Sequence, residues 1–275
     1  MGTPTGPFGP YQTAEDIPEN ERKYYHLGDK FRPIETIDFV EMNFNNRWPV
    51  QIPRFLAEYH GWWDVWEKER NVSMAERLKP GMVLYDVGAF DGWLACVYAQ
   101  FVGGGENIVL IEPVAEEWPN TKLTWEANKL NMPRATYMGF AADILRNGPV
   151  INQSAWPKGP DYSHIIKSIK FKLLSEQAHV DNTASIPIDV LATRIVAPDA
   201  LTIDVEGAGL IVLKGAEQTL RTRRPPVWIS LHPDFMRQRF STEPEELHEF
   251  MDNCGYTGTL LASDHEDHWF YEADK

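Results

Sequence analysis

Short apolar runs recur along the chain, each followed by a stretch of helical period. Met82–Val87 is apolar enough for a strand buried on both faces. Gly88–Gly92 follows as a turn. Trp93–Val102 then sets Leu94, Val97, Tyr98 and Phe101 on one face of a helix. The alternation repeats. Asn107–Ile111 predicts a second strand and Ala115–Leu130 a helix, where Pro119 fits only in the first turn or at a break. Thr136–Ala141 predicts a third strand. Leu201–Val205 predicts a fourth, with a helix over Leu210–Leu220, and Val227–Leu231 a fifth. Glu243–Asn253 reads as a helix, with Pro244 in its first turn and Gly255 as its stop. Tyr256–Leu261 and His268–Tyr271 predict a closing hairpin around Ser263–Asp267. Strands that alternate with helices specify an α/β fold with a mostly parallel, seven-stranded sheet covered on both faces.

Two regions depart from this rhythm. Residues 1–52 are expected to be an N-terminal extension, partly extended or disordered, with Pro4, Pro7, Pro10 and Pro18 among glycines. Residues 53–275 then form the domain. Pro53 suits a helix start, and Phe55, Tyr59, Trp62 and Trp66 recur at helical spacing behind it. The Trp62-Trp63-Trp66 cluster reads as a helix face packed on the sheet rather than as a sugar-stacking platform. The second region is an insertion over about residues 144–190, polar and proline-punctuated. In it Ile165, Ile169, Phe171 and Leu173 alternate loosely with lysines, which predicts a β-hairpin with Ser185–Ile188. Long insertions in compact domains are usually functional.

Composition narrows the partners. A net charge of −14 offers no track for phosphates, so no nucleic acid is expected. Two cysteines, Cys96 and Cys254, give no disulfide framework and suit a cytoplasmic location. No apolar run approaches the roughly 20 residues of a membrane span. No signal pattern opens the sequence, so no membrane partner is expected.

The chemistry concentrates at the first turn. Asp86-Val-Gly88-Ala89-Phe90-Asp91-Gly92 lacks the second glycine of a dinucleotide fingerprint, because bulky Phe90 stands in its place. A glycine turn leading into a helix still lets backbone approach a ligand and offers free N–H groups. Glu112 ends the second run, 20 residues after Gly92, where an acid can accept hydrogen bonds from both ribose hydroxyls. The fourth run ends in Asp204-Val-Glu206 and the fifth in His232-Pro-Asp234. In an open parallel sheet these ends share one edge, and acids with a histidine beside a cofactor turn suit proton transfer.

At these residues the chain resembles the FkbM-type methyltransferases. The blocks that carry the resemblance are Asp86–Gly92, Ile111-Glu-Pro113, Ile203-Asp-Val-Glu-Gly-Ala208 with Val212-Leu-Lys-Gly-Ala216, Pro187–Leu191 and Leu231-His-Pro233. It spans about residues 75–272, with Gly209 where family members often carry glutamate. The resemblance implies a Rossmann-like class I methyltransferase fold with S-adenosylmethionine as methyl donor. It implies that Asp86, Gly88, Ala89, Phe90 and Gly92 hold the methionine end, Glu112 the ribose and Asp143 the adenine side. It further implies O-methylation of a small-molecule or glycan acceptor. On that reading His232 is expected to be the general base, with Asp204 and Glu206 orienting it or the acceptor, and no metal is assigned.

Other readings use the same residues. A magnesium site of Asp204 and Glu206 fits within methyl transfer. A two-histidine, one-carboxylate iron site would draw on His232, Asp234, His248, His265 and His268, but His265 and His268 read as a solvated turn. A nucleotide-dependent oxidoreductase lacks its fingerprint. A non-catalytic binding module of the same fold would fail to bind the cofactor.

Overall fold

The computed structural model describes residues 38–54, 57, 63–114, 117–146, 156 and 184–275. Strands β1 (Phe39–Phe44) and β2 (Trp48–Pro53) form an antiparallel hairpin. Its turn uses Asn45 and Asn46 in left-handed backbone, which asparagine tolerates. This hairpin lies where no period was legible, and Pro53 closes β2. Phe55, Tyr59 and Trp62 fall outside the described residues. Trp66 precedes helix α1 (Lys68–Arg77), and Trp63 packs edge-on against Phe44 and Trp93.

The alternating core follows. It runs β3 (Leu84–Val87), α2 (Trp93–Val102), β4 (Ile108–Ile111), α3 (Glu117–Ala127) and β5 (Ala135–Tyr137). The predicted third strand is split. Gly139 sits where a Cβ would meet the Ala184 carbonyl at 2.5 Å, and the chain leaves the sheet there. Its continuation β6 (Phe140–Ala141) pairs in parallel with β7 (Ser185–Ile186). The Ile165–Leu173 half of the expected hairpin lies outside the described residues. At the other end Ile188 opens helix α4 (Ile188–Arg194) instead of extending a strand. From the insertion, Trp156 is buried edge-on against Trp125 of α3.

Strand β8 (Ala200–Ile203) leads into α5 (Gly209–Lys214) and α6 (Glu217–Arg223). One helix was expected here. It breaks at Gly215, whose missing side chain lets the Ala142 carbonyl approach to 2.1 Å of a Cβ position. Strand β9 (Val227–Leu231) precedes a short turn of helix, then α7 (Pro244–Asn253), β10 (Tyr256–Ser263) and β11 (Asp267–Ala273). Glu243 and Glu246 close a reciprocal capping box on α7.

The main sheet has seven strands in the order β10-β11-β9-β8-β3-β4-β5. The pairs from β9 to β5 are parallel, and β11 joins antiparallel at one side. Strands β3, β4, β8 and β9 are buried throughout, as a sheet covered on both faces requires. One face packs against α4–α7. The other packs against α1, α2 and the β1–β2 hairpin. The chain runs outward from β3 to β5 and then returns to β8, beside β3 on the opposite side. That reversal makes a crevice at the carboxyl ends of β3 and β8, where ligands of open α/β sheets bind. Among the described residues no helix is long and apolar enough to cross a membrane.

Candidate active site

The glycine turn is latched from three directions. The N–H groups of Gly88 and Ala89 donate to the Ile111 carbonyl at 2.9 and 3.1 Å. The Phe90 N–H donates to Oε2 of Glu112 at 2.9 Å, and the Thr121 hydroxyl donates to the Phe90 carbonyl at 3.0 Å. Phe90 holds left-handed backbone, φ 49°, so the turn is fixed even at a residue with a side chain. Gly92 caps α2 against Thr121, 2.6 Å from where a Cβ would stand. Gly88 abuts the neighbouring strand end, with a Cβ position 1.7 Å from the Asp204 carbonyl oxygen.

Two carboxylates face this turn. Glu112 is buried, and its second oxygen accepts from the Val114 N–H at 2.8 Å. Both oxygens of Glu112 thus accept from backbone N–H groups and brace the turn. Asp86 is buried, and its Oδ2 has no hydrogen-bond partner. Burial lifts its carboxyl to about 7, against the pull of Arg70. A buried acceptor without a donor among the described residues, beside a glycine turn, suits a cationic group. Asp143 lies exposed beyond β6, its N–H beside Gly215.

The strand pleat explains a second feature. Leu84, Ala200, Trp228 and Phe270 point to the α1–α2 face. Two residues on, the same face carries Asp86, Thr202, Ser230 and, antiparallel, His268. A polar row thus crosses the sheet just below its carboxyl edge. Arg70 of α1 covers it, donating to the Thr202 hydroxyl and, at 3.0 Å, to Ser230 Oγ. Arg70 also pairs with Glu67, both fully buried. Burial lifts Glu67 to about 7 despite that pairing. The Ser230 hydroxyl also meets Nδ1 of His268 at 3.0 Å. His268 is completely buried, which corrects its placement in a solvated turn. Burial, then Arg70, pushes its pKa down.

Above the row, Asp204, His232 and Glu266 converge. Nε2 of His232 is 3.0 Å from Oδ1 of Asp204 and 2.7 Å from Oε2 of Glu266. Burial alone would lower the His232 pKa. The two carboxylates outweigh it and lift the ring to about 11. Burial likewise pushes Glu266 up, and His232 and His265 outweigh that to hold it well below the usual carboxylate range. Glu206 is exposed in left-handed backbone, 4.0 Å from Nδ1 of His232. Of the other iron-ligand candidates, His265 meets Oε1 of Glu266 at 2.9 Å and gathers with Asp264 and His268 beside this cluster, whereas Asp234 and His248 lie apart. Asp234 is exposed and pairs with Arg237, while His248 meets the Tyr271 hydroxyl on the α7 side.

Residues 86–257 match the profile described as the methyltransferase FkbM domain. The chain belongs to the FkbM methyltransferase family. Its seven-stranded sheet, with the order reversal at β3 and β8, is the class I methyltransferase fold of that family. The FkbM methyltransferase from Methylobacillus flagellatus KT is 19% identical, with a TM-score of 0.47 over 71% of this chain and 44% of that one. This chain therefore spans less than half of that relative. A precorrin-6y C5,15-methyltransferase from Geobacter metallireducens GS-15 is 11% identical, TM-score 0.43, covering 77% and 90%. TYW2 of M. jannaschii, in complex with AdoMet, is 13% identical, TM-score 0.40, covering 82% and 80%. Comparison with curated proteins gave no match.

The FkbM blocks thus bring Asp86, Gly88, Glu112, Asp204 and His232 to one edge. Sequence reading missed Glu67, Arg70, Ser230 and Glu266. A signal existed for Ser230: like Asp86 and Thr202, it is a lone polar residue one place from the end of a buried apolar strand. For Glu266, in the tip of the last hairpin, no local pattern points inward.

Proposed function

We propose that this protein is an S-adenosylmethionine-dependent O-methyltransferase acting on a hydroxyl of a small molecule or glycan. The observation that carries this reading is the contact of Gly88 with the Asp204 carbonyl. It sets the cofactor turn directly beside the acid–histidine cluster. The residues fit the donor: Oδ2 of buried Asp86, without a hydrogen-bond partner among the described residues, suits an ammonium group, and Glu112 stands at the end of β4 beside the turn, where an acid can meet a ribose. Asp86 and the backbone of Gly88, Ala89, Phe90 and Gly92 hold the methionine end, with Asp143 on the adenine side. When bound, the donor supplies an electrophilic methyl group.

The chain's own contribution is to position the acceptor and take up its proton. Asp204, with 27% of its side chain exposed, is the member of the cluster open to an acceptor. His232 is expected as the base from sequence, but the Asp204 and Glu266 carboxylates beside it raise its pKa and so favour the protonated ring. We therefore assign proton uptake to Asp204 and give His232 the role of orienting it. Glu206 borders the same opening. The insertion at about 144–190 and the segment before Gly81, expected from sequence to build the acceptor pocket, lie in large part outside the described residues. The −14 charge argues against an RNA or DNA acceptor.

A screen with methyl-labelled donor across glycans, nucleotide-sugars, small hydroxylated compounds, RNA and protein tests this. Label is expected in a glycan or small-molecule fraction, lost in Asp204→Asn. Label confined to RNA or protein would overturn the acceptor class.

A further inference from the structure

Three ligand atoms meet at one point between the ends of β8 and β9 and the β10–β11 turn. Asp204, His232 and Glu266 each bring one ligand atom there, all within 4.8 Å of one another. Nε2 of His232 carries at most one hydrogen, and Oδ1 of Asp204 lies 3.0 Å from that nitrogen. Oε2 of Glu266, in a side chain only 2% exposed, lies 2.7 Å from the same nitrogen and competes for that hydrogen. Whichever oxygen takes that hydrogen, the other is left as an acceptor facing a nitrogen with nothing more to donate. One proton serves poorly where two oxygens and a nitrogen converge. A metal ion serves all three.

We propose that these three side chains bind a divalent first-row transition metal ion. Ligand bonds of about 2.1 Å, set about 90° apart, place donor atoms about 3.0 Å from each other. The observed 3.0 and 2.7 Å separations match after an opening of a few tenths of an ångström. One imidazole and two carboxylates select manganese, iron, cobalt or zinc over magnesium or calcium, which prefer all-oxygen sites. Asp204 and Glu266 bring two carboxylates to a dication, with Arg70 3.8 Å from the other oxygen of Asp204. His232 releases its Nε2 proton to solvent as the ion enters. Glu266 is preset by His265, whose Nε2 meets Oε1 at 2.9 Å, the kind of outer partner that orients metal ligands.

The glutamate is Glu266 and not Glu206, which is exposed and meets the other ring nitrogen only at 4.0 Å. With Asp204 open to solvent, the ion keeps positions for water or an acceptor oxygen. Its role, to polarise an acceptor hydroxyl beside the Gly88 turn, rests on the methyl-transfer reading; its existence does not.

Manganese(II) titrated into the full chain and followed by electron paramagnetic resonance tests the site, with zinc(II) as competitor. One manganese per chain is expected, displaced by zinc. Glu266→Gln and His232→Asn should each bind about thirtyfold more weakly or worse. Both should keep wild-type affinity for S-adenosylhomocysteine, which also reports that they are folded. A wild-type protein that binds S-adenosylhomocysteine but no manganese overturns the metal site alone. Manganese without S-adenosylhomocysteine overturns the cofactor reading alone. Unchanged manganese affinity in both variants puts the ion elsewhere and overturns the proposal. If either variant fails to fold, Asp204→Asn and the wild-type titration give the same decision.

Discussion

Gly81 and Gly88 share a φ of +91° but not their surroundings. A Cβ on Gly81 meets nothing within 4 Å, whereas one on Gly88 would stand 1.7 Å from the Asp204 carbonyl oxygen. Gly81→Ala is therefore expected to cost only the left-handed penalty, about 1 kcal/mol. Gly88→Ala must also part the ends of β3 and β8, and should cost about 3 kcal/mol or more. Urea denaturation of the two variants checks this; equal losses would contradict the close approach. Asp86 gives a second residue-level prediction. Its folded pKa of about 7 lies above its ordinary 3.8. The stability it contributes is fully present below about 3.8 and is lost as pH rises through about 7. Its affinity for an ammonium group runs the opposite way, since only the carboxylate attracts a cation. S-adenosylhomocysteine should thus bind more tightly as pH rises through about 7, and Asp86→Asn should flatten that profile. A wild-type profile that is flat between pH 6 and 8, by about a factor of two, would refute the role of Asp86.

At the scale of elements, the polar row beneath the strand ends ties α1 to the sheet. Arg70 holds Glu67, Thr202 and Ser230 together in the buried interior. Arg70→Met leaves a buried carboxylate without its cation and should cost about 3–5 kcal/mol. Arg70→Met with Glu67→Leu removes both charges and should recover at least about half of that loss. Thermal and urea unfolding of the single and double variants measures both. A double variant no more stable than the single one would deny that the pair matters as a pair. Strands β3, β4, β8 and β9 were legible because burial on both faces writes an unbroken apolar run. The β1–β2 hairpin was not legible, because Pro49 and Pro53 interrupt its alternation. A two-stranded ribbon tolerates both, since each of its strands is an edge. Nor was the break of α5 from α6 legible, for it depends on Gly215 meeting Ala142 from a distant strand end. Glu266 escaped notice for the same reason: long-range contact, and no local period, turns it inward.

At the scale of the whole molecule, the reversal of strand order at β3 and β8 sets the glycine turn and the acid–histidine cluster side by side. The FkbM blocks in the sequence predicted that meeting, because each follows directly on a strand that topology carries to one edge. The central claim is that this edge holds S-adenosylmethionine, and calorimetry with S-adenosylhomocysteine tests it most directly. One molecule should bind per chain. Glu112→Ala should weaken binding by about tenfold, the worth of a lost charge-assisted hydrogen bond to ribose. Gly88→Val combined with Glu112→Ala should abolish it. No binding by the folded wild-type protein, or undiminished affinity in that double variant, would contradict the account.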